Sequence, residues 1–229
     1  MLMRTALHQT ATSPAAVARA RNGVPPGPHA ASDPLGLMGA PVPYARNVEI
    51  YGEHEPAEYL YKVISGGVRI YRVLTDGRRQ ISAFLLPGDM FGLEAGESHS
   101  CSAEAMADSV VRVIKRSAVL SLAQRDPEVA RELWTLTARE LGRVQDHMLA
   151  LVKTAQERIA AFLLEMAERR PGAFVELPMS RQDIADYLGL TIETVSRTLT
   201  QLEQKAAIAL SSSRRIVLRN RSMLTQLNA

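Results

Sequence analysis

Cysteine is nearly missing from this chain of 229 residues, with Cys101 alone. A single thiol closes no intramolecular disulfide, which fits a reducing cytoplasm. Nor can it build a four-cysteine iron–sulfur site or a structural zinc site. Aromatic residues are scarce, at 5% with one tryptophan, so the cores must be chiefly aliphatic. The charge excess is small, +3 with a sequence pI near 9.2. That balance suits a nucleic-acid partner without demanding one, because many basic proteins bind none. No apolar run approaches the ~20 residues that cross a bilayer, and no continuous apolar stretch follows Arg4. Neither a membrane span nor a secretory signal is therefore expected. Apolar residues themselves are plentiful at 46%, enough for a real core, and the length suits one large or two modest domains.

Seven of the 12 prolines fall between Met1 and Pro43, among alanine, glycine and serine, with no lasting helical or strand period. Residues 1–43 are expected to be a disordered leader, since they bury too little apolar surface to offset their ordering entropy. Residues 44–119 then read as strands. Tyr59–Ile64, Val68–Leu74, Gln80–Leu86, Ala103–Met106 and Val110–Ile114 are short runs bounded by Gly, Pro, Asp and Ser. That punctuation predicts an antiparallel roll or barrel, and Asp76-Gly77 suits a tight hairpin turn.

Helix begins near Val119. Asp126-Pro127-Glu128 supplies a cap and a proline at the first helical position. Beyond it, Ala130, Trp134, Thr137, Leu141, Val144, Met148 and Leu151 recur at alternating steps of four and three. A heptad seam of this kind predicts a helix spanning 120–152 that pairs with its twin in a parallel homodimer. Leu133 and Leu136 lie off the seam and can pack back on the roll, and a helix buried wholly against its own domain is the competing reading. A further helix, Ala155–Arg169, stops at Arg170-Pro171-Gly172.

The stretch S-R-Q-D-I-A-D-Y-L-G-L-T-I-E-T-V-S-R opens at Ser180 and points most directly to function. Ser180 and Asp183 resemble a capping box, although Glu or Gln is usual at the last place. A helix over Arg181–Leu188 would end at Gly189 in the left-handed conformation, and a second would run from Ile192 to Lys205. Ala185 permits close crossing, and Ile184, Leu188, Leu190, Val195, Leu199 and Leu202 form the shared core. Glu193, Thr194, Ser196 and Arg197 then face outward in the first turns, where a recognition helix meets base edges. Arginine pairs bidentately with guanine, and glutamate accepts from an exocyclic amino group. A generic pair of helices could share this apolar spacing, and a Glu-x-x-x-Arg run could be a surface ion pair. Ile208–Leu210 and Arg215–Leu218 flank a serine-rich turn with Arg214, which reads as a two-stranded wing suited to phosphate. From Ser180 onward the chain holds seven basic and four acidic residues, so this region accounts for the whole net charge of +3.

A β-roll, a long helix and a winged helix-turn-helix in that order resemble the CRP/FNR superfamily of bacterial regulators. The resemblance covers about Tyr44 to the C-terminus and is most specific in E-x-x-S-R, which is similar to the FNR and FixK branch. It implies an α+β fold: an N-terminal antiparallel β-roll like the cyclic-nucleotide-binding domain, a dimerisation helix, and a winged helix-turn-helix over 153–229. It also implies a non-enzymatic cytoplasmic transcription factor, more an activator than a repressor, with double-stranded palindromic DNA of TTGA-N6-TCAA type and RNA polymerase as partners. Low-oxygen gene control is the implied setting. Glu193, Ser196 and Arg197 would read bases, while Ser180, Arg181, Gln182, Thr191, Thr194 and Arg214 would contact phosphates.

The sequence departs from its relatives in two places. Cluster-bearing oxygen sensors hold several cysteines, mostly N-terminal, and the leader here has none. Nucleotide-binding members clamp the cyclic phosphate with an arginine-serine pair, where this chain has His99-Ser100. A neutral imidazole substitutes poorly for a guanidinium on phosphate, so no cofactor is expected. The alternatives are a regulator gated by a nucleotide or haem in the roll, and a cupin-like enzyme with a helical appendage. The enzyme needs metal-binding histidines across the roll, and five scattered histidines supply no such cluster. His99, Cys101 and Glu104, with His54, match no standard metal spacing, so no metal is expected. Cys101 beside His99 is a candidate redox thiol, with a cysteine of no special role as the simpler reading. Tyr59, Tyr61 and Tyr71 read as strand packing.

Overall fold

The structure, a computed structural model, describes Leu35 and residues 38–228. Its first half is built from two four-stranded antiparallel sheets. The strands are β1 (Ala40–Tyr44), β2 (Glu49–Tyr51), β3 (Tyr59–Ser65), β4 (Val68–Val73), β5 (Arg79–Leu85), β6 (Met90–Phe91), β7 (Ser102–Ala105) and β8 (Ser109–Lys115). One sheet has the order β1-β8-β3-β6 and the other β2-β7-β4-β5. Tyr51, Tyr61, Val63, Val68, Leu85, Phe91, Ala103 and Val111 form a core in the roll. Asp76-Gly77 turns the β4–β5 hairpin, with Gly77 at φ +83°.

The roll begins earlier than its proline content suggests. Strand β1 starts at Ala40 and pairs with β8 through Pro41↔Arg112 and Pro43↔Val110. Proline lacks an amide donor but is tolerated on an edge strand, and β1 lies at the edge of its sheet. Leu35 is also fully buried, in a cluster with Leu60, Met90, Ile114, Val119 and Val129. The expected leader boundary at residue 43 is thereby corrected. The rest of the expected leader lies outside the described residues. Strands β2 and β6 are further departures from the sequence reading; they are three and two residues long, too short to establish a period.

Helix α1 (Arg116–Ala123) leads into α2 (Pro127–Ala150). Asp126 caps α2 by accepting from the Glu128 amide, with Pro127 at the helix start. At 24 residues α2 is ~36 Å long. Leu133 and Leu136 pack back toward Val119 and Val129. The heptad stripe itself faces away: Trp134 is 74% exposed, Leu141 58%, Val144 45% and Met148 63%. Ala130 and Thr137 are also exposed, and Leu151 is half-buried.

The second half comprises α3 (Ala155–Arg169), β9 (Val175–Glu176), α4 (Arg181–Leu188), α5 (Ile192–Gln204), β10 (Ile208–Ser212), β11 (Arg215–Leu218) and α6 (Arg221–Asn228). The wing has three strands, in the order β10-β11-β9, rather than the expected two. Strand β9 is a two-residue segment that becomes a strand only by pairing with Arg215 and Ile216. A continuous apolar core joins the halves, with Ile81, Phe84, Leu86 and Met106 of the roll packed among residues of α3, α4 and α5. Among the described residues no helix is long and apolar enough to cross a membrane.

Candidate nucleic-acid interface

Helices α4 and α5 form from strong local signals. Ser180 accepts from the Asp183 amide at 3.1 Å, while its own amide donates to Asp183 Oδ2 at 2.9 Å, completing a capping box. Gly189 ends α4 at φ +62°. Thr191 then caps α5, accepting from the Thr194 amide at 3.2 Å. The inner face of the pair is sealed by Ile184, Ala185, Leu188, Val195, Leu199 and Leu202, all buried, with Leu190 packed against them. Their burial holds α5 against α4 and leaves its other face outward.

That outward face carries the sequence-predicted base readers. Glu193 and Arg197 are exposed in the opening turns of α5, and Ser196 is half-buried between them. Arg181 Nη1 donates to Ser196 Oγ at 3.2 Å. A residue expected at phosphate thus also reaches a residue expected at bases, and it occupies an acceptor lone pair of the hydroxyl. The Ser196 proton remains available to an acceptor outside the protein. Gln182 is exposed, and its amide donates to Asp186 Oδ1 at 2.7 Å. Thr194 is half-buried and its hydroxyl lies 3.1 Å from that of Thr191. Arg214 sits in the turn between β10 and β11, with its amide donating to Ser212 Oγ at 3.2 Å. The structure therefore gathers Ser180, Arg181, Gln182, Thr191, Thr194, Ser196 and Arg197 on the α4–α5 unit, with Arg214 apart on the wing. Arg215 is occupied otherwise, with its guanidinium 4.7 Å from the centre of the Phe174 ring and 3.6 Å from Glu176.

Four charged residues outside the sequence-predicted set tie α4 to the roll. Asp183 Oδ1 accepts from Arg69 Nη1 at 3.1 Å and from Arg79 Nη2 at 2.6 Å. Arg79 Nε also donates to Asp186 Oδ2 at 2.8 Å. Burial alone would raise the Asp183 carboxyl, but hydrogen bonds from Ser180 and the two guanidiniums hold it below its ordinary value. Burial would lower Arg79, but Asp186 and Asp183 hold it above its ordinary value. Partners more than 100 residues apart leave no periodic trace in a sequence. The one local hint was aspartate at the third helical position, where a capping box usually has a longer acid or amide.

The other sequence candidates lie in the roll. His99 is 1% exposed, stacks on Tyr51 with centroids 3.6 Å apart, and holds Glu94 Oε2 at 2.8 Å from Nδ1. Cys101 is a free, half-buried thiol, while Glu104 pairs with Arg69. His54 lies 3.7 Å from Glu53. Among the described residues no group of three or more His, Cys, Asp or Glu is arranged to hold a metal ion.

Comparison with known proteins agrees with this architecture. The family model for the Crp-like helix-turn-helix domain matches residues 157–227, and that for the cyclic nucleotide-binding domain matches residues 41–126. The chain is 53% identical over 203 residues to the nitrogen fixation regulation protein FixK of Azorhizobium caulinodans, covering 85% of this chain and 82% of that protein. It is 47% identical over 175 residues to the protein of the same name from Rhizobium meliloti, covering 76% of this chain and 80% of that one. The solved structure of FixK2 from Bradyrhizobium japonicum superposes with a TM-score of 0.81 at 55% identity, covering 84% of this chain and 98% of that one. Similarity at this level, over both the roll and the reading head, decides the class: the chain belongs to the FixK-like branch of the CRP/FNR family, DNA-binding helix-turn-helix transcriptional regulators rather than enzymes.

Proposed function

We propose that this chain acts in the cytoplasm as a homodimer that reads a TTGA-N6-TCAA-type palindrome without a bound effector and activates transcription through RNA polymerase. The observation that carries the reading is the opening of α5, where Glu193 and Arg197 project from a helix whose opposite face is sealed. Arg197 donates a bidentate pair to guanine, and Glu193 accepts from a cytosine or adenine amino group. Ser196, its oxygen already held by Arg181, donates to a base acceptor. Arg181, Gln182, Thr191, Thr194 and Arg214 contact phosphates, which fixes register without adding sequence information, whereas Ser180, expected among them, gives both its amide and its hydroxyl proton to Asp183.

The exposed stripe on α2 supports the dimer. Trp134, Leu141, Val144 and Met148 are each at least 45% exposed at heptad spacing, and a lone chain gains nothing by presenting them to water. Pairing of α2 with its twin would cover the stripe and set two copies of α5 about one turn of DNA apart, ~34 Å. The aromatic filling of the roll supports the effector-free reading. Tyr51 and His99 stack, Tyr61 and Phe91 stack with centroids 5.0 Å apart, and His99 is engaged with Glu94. The resemblance sets His99 where nucleotide-binding members carry the phosphate-clamping arginine, and its commitment to Glu94 and Tyr51 supports the reading. The relatives' names place those proteins in nitrogen fixation regulation, and the transcriptional activator FnrL of Cereibacter sphaeroides is 32% identical over 170 residues. Low-oxygen gene control is the setting we assign.

The test is a fluorescence-anisotropy titration of the purified, effector-free chain against the palindrome and a scrambled duplex at physiological salt. Selective binding as a dimer is expected. Equal affinity for the two duplexes overturns the reading, and selectivity that appears only on adding cyclic AMP or haem assigns the chain to the ligand-gated alternative.

A further inference from the structure

The two oxygens of Asp183 serve different partners. Oδ2 stays with its own helix, accepting from the Ser180 amide at 2.9 Å and the Ser180 hydroxyl at 2.7 Å. Oδ1 turns to the roll and takes both arginines, Arg69 from β4 and Arg79 from the start of β5. Arg69 is tied into its own sheet by Glu104 on β7 and by Asn47 Oδ1 at 3.4 Å. Arg79 bridges onward to Asp186, one turn along α4. Arg69 is 8% exposed and Asp183 3%, so water competes little for these bonds.

We propose that Arg69, Arg79, Asp183 and Asp186 form the joint that sets the angle of the reading head on the roll, and thereby the half-site spacing that the DNA-bound dimer accepts. The second clause rests on the dimeric reading above. The apolar contact through Ile81, Phe84, Leu86 and Met106 holds the halves together but is non-directional, so it tolerates small rotations. Charge-assisted guanidinium–carboxylate bonds are short and directional, and here they converge on one helix from two strands. Helix α5 packs on α4 and moves with it, so rotation at the joint displaces the base-reading side chains at the end of a lever. Two such levers meet the DNA, and their separation selects the spacer.

The joint also explains the short acid at the third position of α4. Aspartate keeps its carboxylate against the helix start, where one oxygen caps and the other still faces the roll. Glutamate would carry the group one methylene further. Charge matters as well: α4 bears Asp183 and Asp186 on the unit that must approach a polyanion, and Arg69 and Arg79 neutralise them.

The test uses the full chain with Arg69→Met and Arg79→Met together, and Arg79→Gln alone as the milder variant should the pair unfold. Binding is measured to palindromes with the six-base spacer and with spacers one and two base pairs shorter and longer, and to half-sites with single base changes. Wild type should favour one spacer by about tenfold or more, a free-energy difference of about 1.4 kcal/mol. The variants should flatten that preference while keeping their discrimination among half-site bases, a separation that general destabilisation would not produce. An unchanged spacer profile in a folded variant overturns the proposal.

A second readout is independent of DNA. Nitroxide labels at exposed Thr75 and Ser213, on a Cys101→Ser background and diluted with unlabelled chain, report the distance from hairpin to wing by pulsed electron resonance. The distribution should be narrow in wild type and broad in the variants; equal widths refute a joint. If wild type shows no preference for any palindrome, the dimeric reading fails, and the distance measurement alone decides whether the cluster fixes the head.

Discussion

Removal of the Asp183 side chain takes a capping bond from α4 and two ion pairs from its contact with the roll. In Asp183→Ala, the Ser180 hydroxyl still caps the amide of residue 183, but the reciprocal bond from the Ser180 amide to the carboxylate is lost, a net cost of about 0.5–1 kcal/mol. Two guanidiniums lose a shared acceptor at a site where the Asp183 side chain is 4% exposed and that of Arg69 is 9% exposed. Removing one partner of a buried ion pair costs about 3–5 kcal/mol, because the other charge stays desolvated. Arg69 keeps Glu104 and Arg79 keeps Asp186, which places the loss at the low end of that range. The expected total is about 3–4 kcal/mol, a large share of the roughly 5–15 kcal/mol that stabilises a typical domain. Urea unfolding followed by far-ultraviolet circular dichroism would read this as a fall in midpoint at constant slope. Asp183→Asn, which keeps an acceptor for the cap but no charge, should lose about half as much. The pH dependence has a definite sign. Because the folded state holds the Asp183 carboxyl below its ordinary value, its contribution is complete above about pH 4 and is lost as pH falls through the lowered value. The gap between wild type and Asp183→Ala should therefore narrow on acidification. A variant within about 1 kcal/mol of wild type at neutral pH would refute the reasoning, since a buried pair cannot be both essential and that cheap to break.

Further expectations concern individual parts. Arg197→Ala should weaken palindrome binding by about 1–3 kcal/mol and relax specificity at one base pair, and an unchanged titration would remove Arg197 from the readers. Leu141→Glu would place a charge at the centre of the α2 stripe, and sedimentation should find a monomer with greatly reduced palindrome affinity; a persisting dimer would move the interface elsewhere. Gly189→Ala should cost about 1 kcal/mol in urea unfolding, and Gly189→Asn less. An added Cβ would meet nothing nearer than 3.6 Å, so the φ of +62° alone sets the cost. His147 stacks on Tyr187 with centroids 4.0 Å apart, and burial holds its imidazole below the ordinary value. Its neutral form belongs to the folded state, so its contribution is complete above about pH 6.5 and is lost as pH falls through the lowered value. His147→Gln should accordingly lose less stability than wild type between about pH 7 and pH 5 in a thermal-melt series.

The reading head was legible because its determinants are local. A serine and an acid three places apart, a glycine that can take positive φ, and apolar residues at helical spacing define α4 and α5 within 25 residues from Ser180 to Gln204. The same holds for α2, where Asp126-Pro127 marks the start and a heptad period marks the exposed stripe. The longer strands of the roll were legible through alternation and their glycine and proline punctuation. What escaped was short or distant. Strand β1 was obscured by Pro41 and Pro43, whose harmlessness depends on its being an edge strand. Strand β9 exists only because β11 offers it a partner.

By itself, then, the amino-acid order determined the helices and the longer strands, the face that α5 turns outward and the residues on that face, because each depends on contacts within a few turns of the chain. Tertiary structure alone decided which charges meet. Arg69 and Arg79 are unremarkable basic residues on two strands, and Asp183 is an ordinary helix-capping acid, until folding brings groups 114 and 104 residues apart within hydrogen-bond distance. Long-range pairing of single charged side chains carries no period and no local propensity. Only the packed interface, where desolvation makes each carboxylate require its guanidinium, reveals it.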